Sequence, residues 1–251
     1  MFDLNGKVIL VTGAARGIGR AIALGAGRSG AHVIALDILD DGLHTLQREL
    51  GAERCMISHY DLEQLDGIPA VFRAAAAWRG RIDVLVNNAG IYEVADFDFE
   101  FEAWDRSWQR TTAVNLIAPA YLCREAVRQF RGQGGGIIVN IASRAGFRGD
   151  APDYTHYAAS KGGLLALTRT IARGCAREKI LAYAIAPGFV NTPLNDEFFK
   201  RHGTEAALRE TPLGEMAQPE DIAATVLFLA TGQARHATGS TFHINGASYV
   251  H

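Results

Sequence analysis

The sequence is poor in cysteine and in long apolar runs, and it carries no surplus of charge of either sign. Only three cysteines occur, Cys55, Cys123 and Cys175. They are odd in number, far apart and form no CxxC pair. A disulfide framework and a thiolate metal site are therefore excluded, and incidental thiols in a reducing compartment fit the pattern. No metal is expected. No apolar run approaches the ~20 residues that a spanning helix needs. The opening Met-Phe-Asp-Leu-Asn-Gly-Lys lacks the charged and apolar regions of a signal peptide. A cytoplasmic protein without a membrane partner is the expectation. The formal net charge of −2 leaves no basic excess for nucleic acid or anionic lipid. At 251 residues, the chain suits one α/β domain whose core needs no staple.

What is present is alternation. Short apolar runs at Val8–Val11, Val33–Leu36, Val84–Val86, Ile137–Ile141 and Leu181–Ala186 read as strands buried on both faces. Cys55–Ile57 is a weaker strand, and Thr241–Ile244 alternates like a final edge strand. Helical spacing runs through Ile18–Arg28, Asp41–Leu50, Pro69–Trp78, Phe101–Phe130, Tyr157–Arg177 and Pro219–Leu229. Pro119 is placed to kink or break the fourth of these. Strand–helix alternation predicts a doubly wound parallel sheet in a single domain spanning 1–251. Asn191–Gln218 shows no clear element. A stretch of that length inside a compact domain reads as a lid over a binding site.

The first strand runs into Thr12-Gly13-Ala14-Ala15-Arg16-Gly17-Ile18-Gly19, which opens the first helix. Glycines allow a tight turn and close backbone approach to a pyrophosphate, and the helix N-terminus supplies free N–H groups. Placement between strand and helix lifts this above a chance glycine cluster. The second strand ends in Asp37, eighteen residues past Gly19. A carboxylate there accepts both hydroxyls of an adenosine ribose and repels a 2′-phosphate. Arg16 argues the other way, because a guanidinium can hold that phosphate. Asp37 outweighs it, and NAD is favoured over NADP.

With these residues in view, the chain resembles the short-chain dehydrogenase/reductase family over nearly its whole length. Thr12–Gly19 resembles the TGxxxGxG turn, Asn87-Asn88-Ala89-Gly90 the NNAG segment, and Tyr157-Ala158-Ala159-Ser160-Lys161 the YxxxK motif. Pro187-Gly188 with Thr192 resembles the turn that meets the nicotinamide. The order and separations make the match specific. The resemblance implies a Rossmann-type fold of about seven strands with helices on both faces, often assembled as a homotetramer. It implies NAD contacts from Gly13, Arg16, Gly17, Ile18 and Gly19, and from Asp37 and Ile38. Asp61 and Leu62 would lie near the adenine, and Asn88, Ala89 and Gly90 beside its ribose. Pro187, Gly188, Val190 and Thr192 would meet the nicotinamide end, with Tyr157 and Lys161.

Tyr157 and Lys161 are one helical turn apart and share a face. A free phenol, with pKa near ~10, is a poor base at neutral pH. A neighbouring ammonium and a positive nicotinamide would favour the phenolate. Tyr157 could then take a proton from an alcohol as hydride leaves its carbon, or return it to a carbonyl. Standing alone, the pair equally suits a core tyrosine beside a surface lysine. Ser143, just past a strand end, can hydrogen-bond the substrate oxygen. The resemblance adds Asn115 as the holder of a water that links Lys161 to solvent. All four catalytic positions are thus present.

Around the substrate, the resemblance places Tyr92–Asp96, Arg144–Tyr154 and Phe189. Arg148 and Tyr154 are candidate contacts for a polar substrate such as a sugar, polyol or hydroxy acid, and Phe189 for an apolar part. A solvated loop explains the same residues. His156 is on another helix face from Tyr157 and receives no catalytic role. Ala182-Tyr183 and the tail Ile244–Tyr249 depart from the common family pattern without touching the catalytic set. The leading expectation is an NAD-dependent dehydrogenase of a secondary alcohol. An NADPH-dependent reductase of 3-oxoacyl thioesters shares the catalytic set, and Asp37 weighs against it. A non-catalytic dinucleotide sensor would be expected to have lost Ser143, Tyr157 or Lys161.

Overall fold

The computed structural model describes residues 2–250. Seven strands form one sheet: β1 (Val8–Thr12), β2 (His32–Asp37), β3 (Cys55–His59), β4 (Val84–Asn87), β5 (Gly136–Ile141), β6 (Ile180–Pro187) and β7 (Thr241–Ile244). The order is β3-β2-β1-β4-β5-β6-β7, and every pairing is parallel. Parallel neighbours need crossovers, and the helices supply them. These are α1 (Gly17–Arg28), α2 (Asp40–Leu50), α3 (Ile68–Ala77), α4 (Phe101–Thr112), α5 (Ala118–Gln133), α6 (Ala145–Arg148), α7 (Thr155–Cys175), α8 (Asp196–His202), α9 (Thr204–Arg209) and α10 (Pro219–Ala230).

The continuous apolar runs are explained by the two faces. Side chains alternate across a strand. Ile9 and Val11 of β1 enter the core under α1, α2 and α10, whereas Val8 and Leu10 enter the core under α3, α5 and α7. Both faces of β1 are thus covered, so it is apolar up to Thr12, whose hydroxyl is hydrogen-bonded. Phe130 of α5 is fully buried on the second face, a contribution of roughly 1.5–3 kcal/mol. The edge strand β7 is only half-buried.

The Phe101–Phe130 helix is interrupted, as Pro119 led one to expect: between α4 and α5, residues Ala113–Ile117 form a π-helical turn. The Ala118 N–H donates to the Ala113 carbonyl, five residues back. Pro119 lies in the first turn of α5. It has no N–H for the carbonyl four residues earlier, that of Asn115, and a wider turn is a low-strain answer. One expectation is corrected: Asn191–Gln218 is not without elements. It contains a 3-10 turn at Pro193–Asn195 and then α8 and α9. No helix among the described residues is long and apolar enough to cross a membrane.

Candidate active site

The strand order changes direction between β1 and β4, and a cleft opens at their carboxyl ends, where such sheets bind ligands. Its volume is about 230 Å³. One wall is the glycine turn. Gly13 and Gly17 have φ of +65° and +55°, in the left-handed region that suits glycine. A Cβ on Gly13 would lie 2.9 Å from the Ala89 Cα. The start of α1 carries no side-chain cap, so its N–H groups are open toward the cleft. Gly13, Arg16, Gly17 and Ile18 line the cavity. Gly19 does not. A Cβ there would lie 2.0 Å from the Gly13 carbonyl oxygen, so Gly19 acts by letting helix and turn pack.

Asp37 ends β2 at the rim, with Ile38 beside it. It is no solvated strand-end carboxylate. It is buried, Oδ2 accepts the Ala15 N–H at 2.9 Å, and Oδ1 accepts the Leu39 N–H at 3.0 Å. Each oxygen keeps lone-pair capacity for a ligand hydroxyl. Arg16 is exposed on the same rim. Asp61 and Leu62 line the next stretch.

Asn88, Ala89 and Gly90 line the floor. The Asn88 and Ala89 N–H groups both donate to Thr12 Oγ1 at 3.0 Å. Asn88 Nδ2 donates to the Thr12 carbonyl at 2.9 Å. The NNAG segment therefore staples the end of β4 to the glycine turn. At the far end lie Pro187, Gly188, Val190 and Thr192. The Gly188 N–H donates to the Ile244 carbonyl at 3.0 Å, and its Cα approaches Asn245 too closely for a side chain. A glycine cradle, open helix N–H groups and a rim carboxylate fit a dinucleotide in shape and donor chemistry.

Ser143, Tyr157 and Lys161 face this far end. Ser143 is two residues past β5, and its Oγ accepts the Ala145 N–H at 3.1 Å. Tyr157 and Lys161 project from the first two turns of α7. Lys161 is no surface lysine: it is 4 % exposed, and its Nζ donates to the Ile141 carbonyl at 2.8 Å. Burial lowers its pKa to about 8. Tyr157 goes the other way, because burial pushes its phenol well above the usual range and the hydrogen bond with Ser143 offsets only part. The Lys161 Nζ is 5.7 Å from the Tyr157 ring centre. In the protein alone, desolvation therefore outweighs the ammonium effect expected from the i, i+4 spacing, and the phenol stays protonated.

Asn115 is fully buried in the π-helical turn and does not line the cavity. Its Nδ2 donates to the Ile91 carbonyl at 2.9 Å, and its Oδ1 accepts the Ile91 N–H at 2.9 Å. The side chain is thus spent on holding the chain after NNAG. A Cβ on Gly90 would be 3.3 Å from Asn115 Oδ1 and 3.5 Å from Lys161 Nζ, so these groups gather under one glycine.

A small annex of about 40 Å³ adjoins the cleft and shares Ser143, Tyr157, Gly188 and Asn195 with it. Arg148 and Phe189 line it. Tyr154 does not: it is fully buried, stacked on Tyr92 at 4.0 Å between ring centres. An aromatic in a polar segment was read as a ligand contact, and it is core. Tyr92 in turn meets the Tyr157 ring edge-on at 4.6 Å, so the stack sets the position of the phenol. Tyr60 and Arg110 also line the cleft, and nothing in the sequence pointed to them. Arg144 and Asp150, from the Arg144–Tyr154 segment expected around the substrate, line the annex, and so does Asn195, from the stretch expected to cover a binding site. His156 is buried against Trp108.

Comparison with known proteins agrees with this geometry. A family model described as enoyl-(acyl carrier protein) reductase matches residues 13–247. The chain is 38 % identical over 249 residues to the 3-oxoacyl-(acyl-carrier-protein) reductase FabG of Thermotoga maritima, covering 98 % of this chain and 99 % of that one. It is 33 % identical over 250 residues to the 2-dehydro-3-deoxy-D-gluconate 5-dehydrogenase of Escherichia coli, covering 98 % and 96 %. A crystal structure from Beutenbergia cavernae, described as a candidate NAD(P)-dependent gluconate 5-dehydrogenase with NADP bound at low occupancy, superposes with a TM-score of 0.91 at 35 % identity, covering 98 % of each chain. The family model covers most of the chain and these relatives cover it nearly end to end at 33–38 % identity, and the chain belongs to the short-chain dehydrogenase/reductase family of oxidoreductases.

Proposed function

We propose that this protein is an NAD-preferring dehydrogenase that oxidises a secondary hydroxyl on a small polar molecule, with Tyr157 as general base. The observation that carries the reading is the continuity of one cavity, from Asp37 and the glycine turn to Ser143, Tyr157 and Lys161. The bound dinucleotide supplies the hydride acceptor and, when oxidised, a positive ring charge. That charge would favour the Tyr157 phenolate, which burial alone disfavours, and the deprotonated Oη then takes the alcohol proton. Ser143 Oγ donates to the substrate oxygen and steadies its charge. Lys161, with a pKa of about 8, can help carry that proton on from Tyr157 toward solvent near neutral pH. The buried Asn115 side chain fixes the Ile91 peptide, and to this residue the reading assigns the water that would link Lys161 to solvent. Asp37 supports NAD because its fixed carboxylate would face a 2′-phosphate.

The second reading is a 3-oxoacyl-thioester reductase working with NADPH. Similarity to the Thermotoga reductase and the exposed Arg16 favour it. Absorbance of the reduced nicotinamide separates the two. Turnover with NAD and alcohols supports the first; turnover confined to NADPH and acyl thioesters overturns it. Cofactor binding without turnover on any substrate would point to the sensor. The reading also includes a cytoplasmic homotetramer. The exposed Phe101 and Tyr121 on α4 and α5 support assembly there, and sedimentation velocity tests it.

A further inference from the structure

The annex beside Ser143 holds charges that the proton transfer does not use. Arg144 directly follows Ser143 and is 5 % exposed. Its Nη2 donates to Glu210 Oε2 at 2.7 Å, and Arg148 Nη2 donates to the same oxygen at 2.7 Å. Two guanidiniums thus converge on one carboxylate oxygen. Arg144 Nη1 is buried without an acceptor, and the guanidinium lies 4.6 Å above the Phe189 ring centre. A buried cation with unspent donors is costly, and a further acceptor relieves it. The opposing charge is Asp150. Its carboxylate accepts the Tyr92 hydroxyl at 3.3 Å and the Ala151 N–H at 2.9 Å. Burial raises its pKa, which weakens its claim on the arginines.

Glu210 differs from its partners. It follows α9, outside the lining of the annex, and its side chain is 43 % exposed against 6 % for Arg144. It can turn to water at little cost, whereas Arg144 cannot leave. We propose that the substrate is a small hydroxy acid whose carboxylate replaces Glu210 between Arg144 and Arg148 while its hydroxyl lies between Ser143 and Tyr157. This rests on the dehydrogenase reading above and narrows its substrate class. A clamp already closed on a carboxylate oxygen suits another carboxylate in a paired, charge-assisted geometry. A volume of about 40 Å³ beside the serine admits such a group.

The test pairs short hydroxy acids (2- and 3-hydroxybutyrate, gluconate) with neutral partners (the methyl esters, glucitol), and adds glycerol 3-phosphate as a phosphate probe. Turnover with NAD is measured, and the acids are titrated calorimetrically into the protein–NADH complex. At least one acid should exceed its neutral partner tenfold or more in kcat/KM. Arg148→Met should lose tenfold more on that acid than on the partner, mostly through KM. Glu210→Gln, which removes the internal competitor at an exposed position, should lower KM for the acid several-fold and tighten its binding. Preference for the neutral partners, preference for the phosphate, or an unchanged acid KM in Glu210→Gln overturns the proposal. Acid binding strengthened by Glu210→Gln without any turnover would keep the clamp and remove the dehydrogenase. Turnover of neutral alcohols with no acid binding would do the reverse, and neither binding nor turnover would remove both.

Discussion

Replacing Lys161 by methionine should make the protein more stable while removing its activity. Lys161 is buried, and its pKa is held at about 8 against an ordinary 10.5. At ~1.36 kcal/mol per pH unit, holding the ammonium at pH 7 costs the fold about 3 kcal/mol. Methionine fills a similar volume and carries no charge. It forfeits the hydrogen bond to the Ile141 carbonyl, worth about 1 kcal/mol. The net gain is about 2 kcal/mol, and a domain of this size responds with a Tm rise of roughly 4–8 °C. The sign with pH follows from the depressed pKa. Between about 8 and 10.5 the unfolded chain binds the proton and the native chain does not, so native stability rises with pH across that window. The methionine variant lacks this rise. Its advantage should be full well below pH 8, shrink as pH rises, and give way near pH 10.5 to a deficit of up to about 1 kcal/mol from the lost hydrogen bond. Calorimetric melting without nucleotide, at pH 7, 8, 9 and 10, measures the gap. A variant that melts lower at pH 7, or a gap that does not change with pH, would refute the burial account.

Three further expectations concern the cleft. Tyr157→Phe should reduce kcat by ~10³-fold or more with dinucleotide affinity nearly unchanged; rate assays and fluorescence titration check both, and a retained rate removes the phenol from the chemistry. Asp37→Ala should narrow the preference for NAD over NADP. It should also lower stability by roughly 1–3 kcal/mol, because the Ala15 and Leu39 N–H groups lose their acceptor; kinetics with both cofactors and a thermal melt read the two effects. Gly19→Ala should abolish tight dinucleotide binding, since the added carbon collides with the Gly13 carbonyl; wild-type affinity in that variant would mean the turn is looser than described.

The sheet was legible because burial on both faces writes itself as unbroken apolar runs, as along β1 and β6. Helix starts were legible where Pro219 or the glycine turn marked them. Pro119 announced an interruption, but not that a π-helical turn would resolve it, because that depends on how Asn115 is tied to Ile91. α8 and α9, seven and six residues long, were too short to show periodicity. The candidate catalytic residues were marked by their motifs, and the cleft brings Ser143, Tyr157 and Lys161 together while Asn115 lies outside its lining. Their electrostatics was not: spacing suggested an ammonium activating a phenol, whereas depth in the protein governs both groups. Tyr154 misled because an aromatic near a motif suits a pocket wall or a core stack equally. Glu210 left no trace, since its partners lie more than sixty residues away in the chain and meet it only through tertiary structure.

The all-parallel pairing has a consequence for synthesis. β1 takes β2 on one edge and β4 on the other, with Ile9 opposite Val84. No hairpin can cover that second edge early, so it waits about seventy residues for its neighbour. At translation speeds of roughly 5–20 residues per second, a nascent chain shows an open ribbon, apolar up to Thr12, for several seconds. The ribosome-bound half-product is therefore the form of this molecule most exposed to misassembly, and the ligand-binding mouth is finished only when that gap is filled.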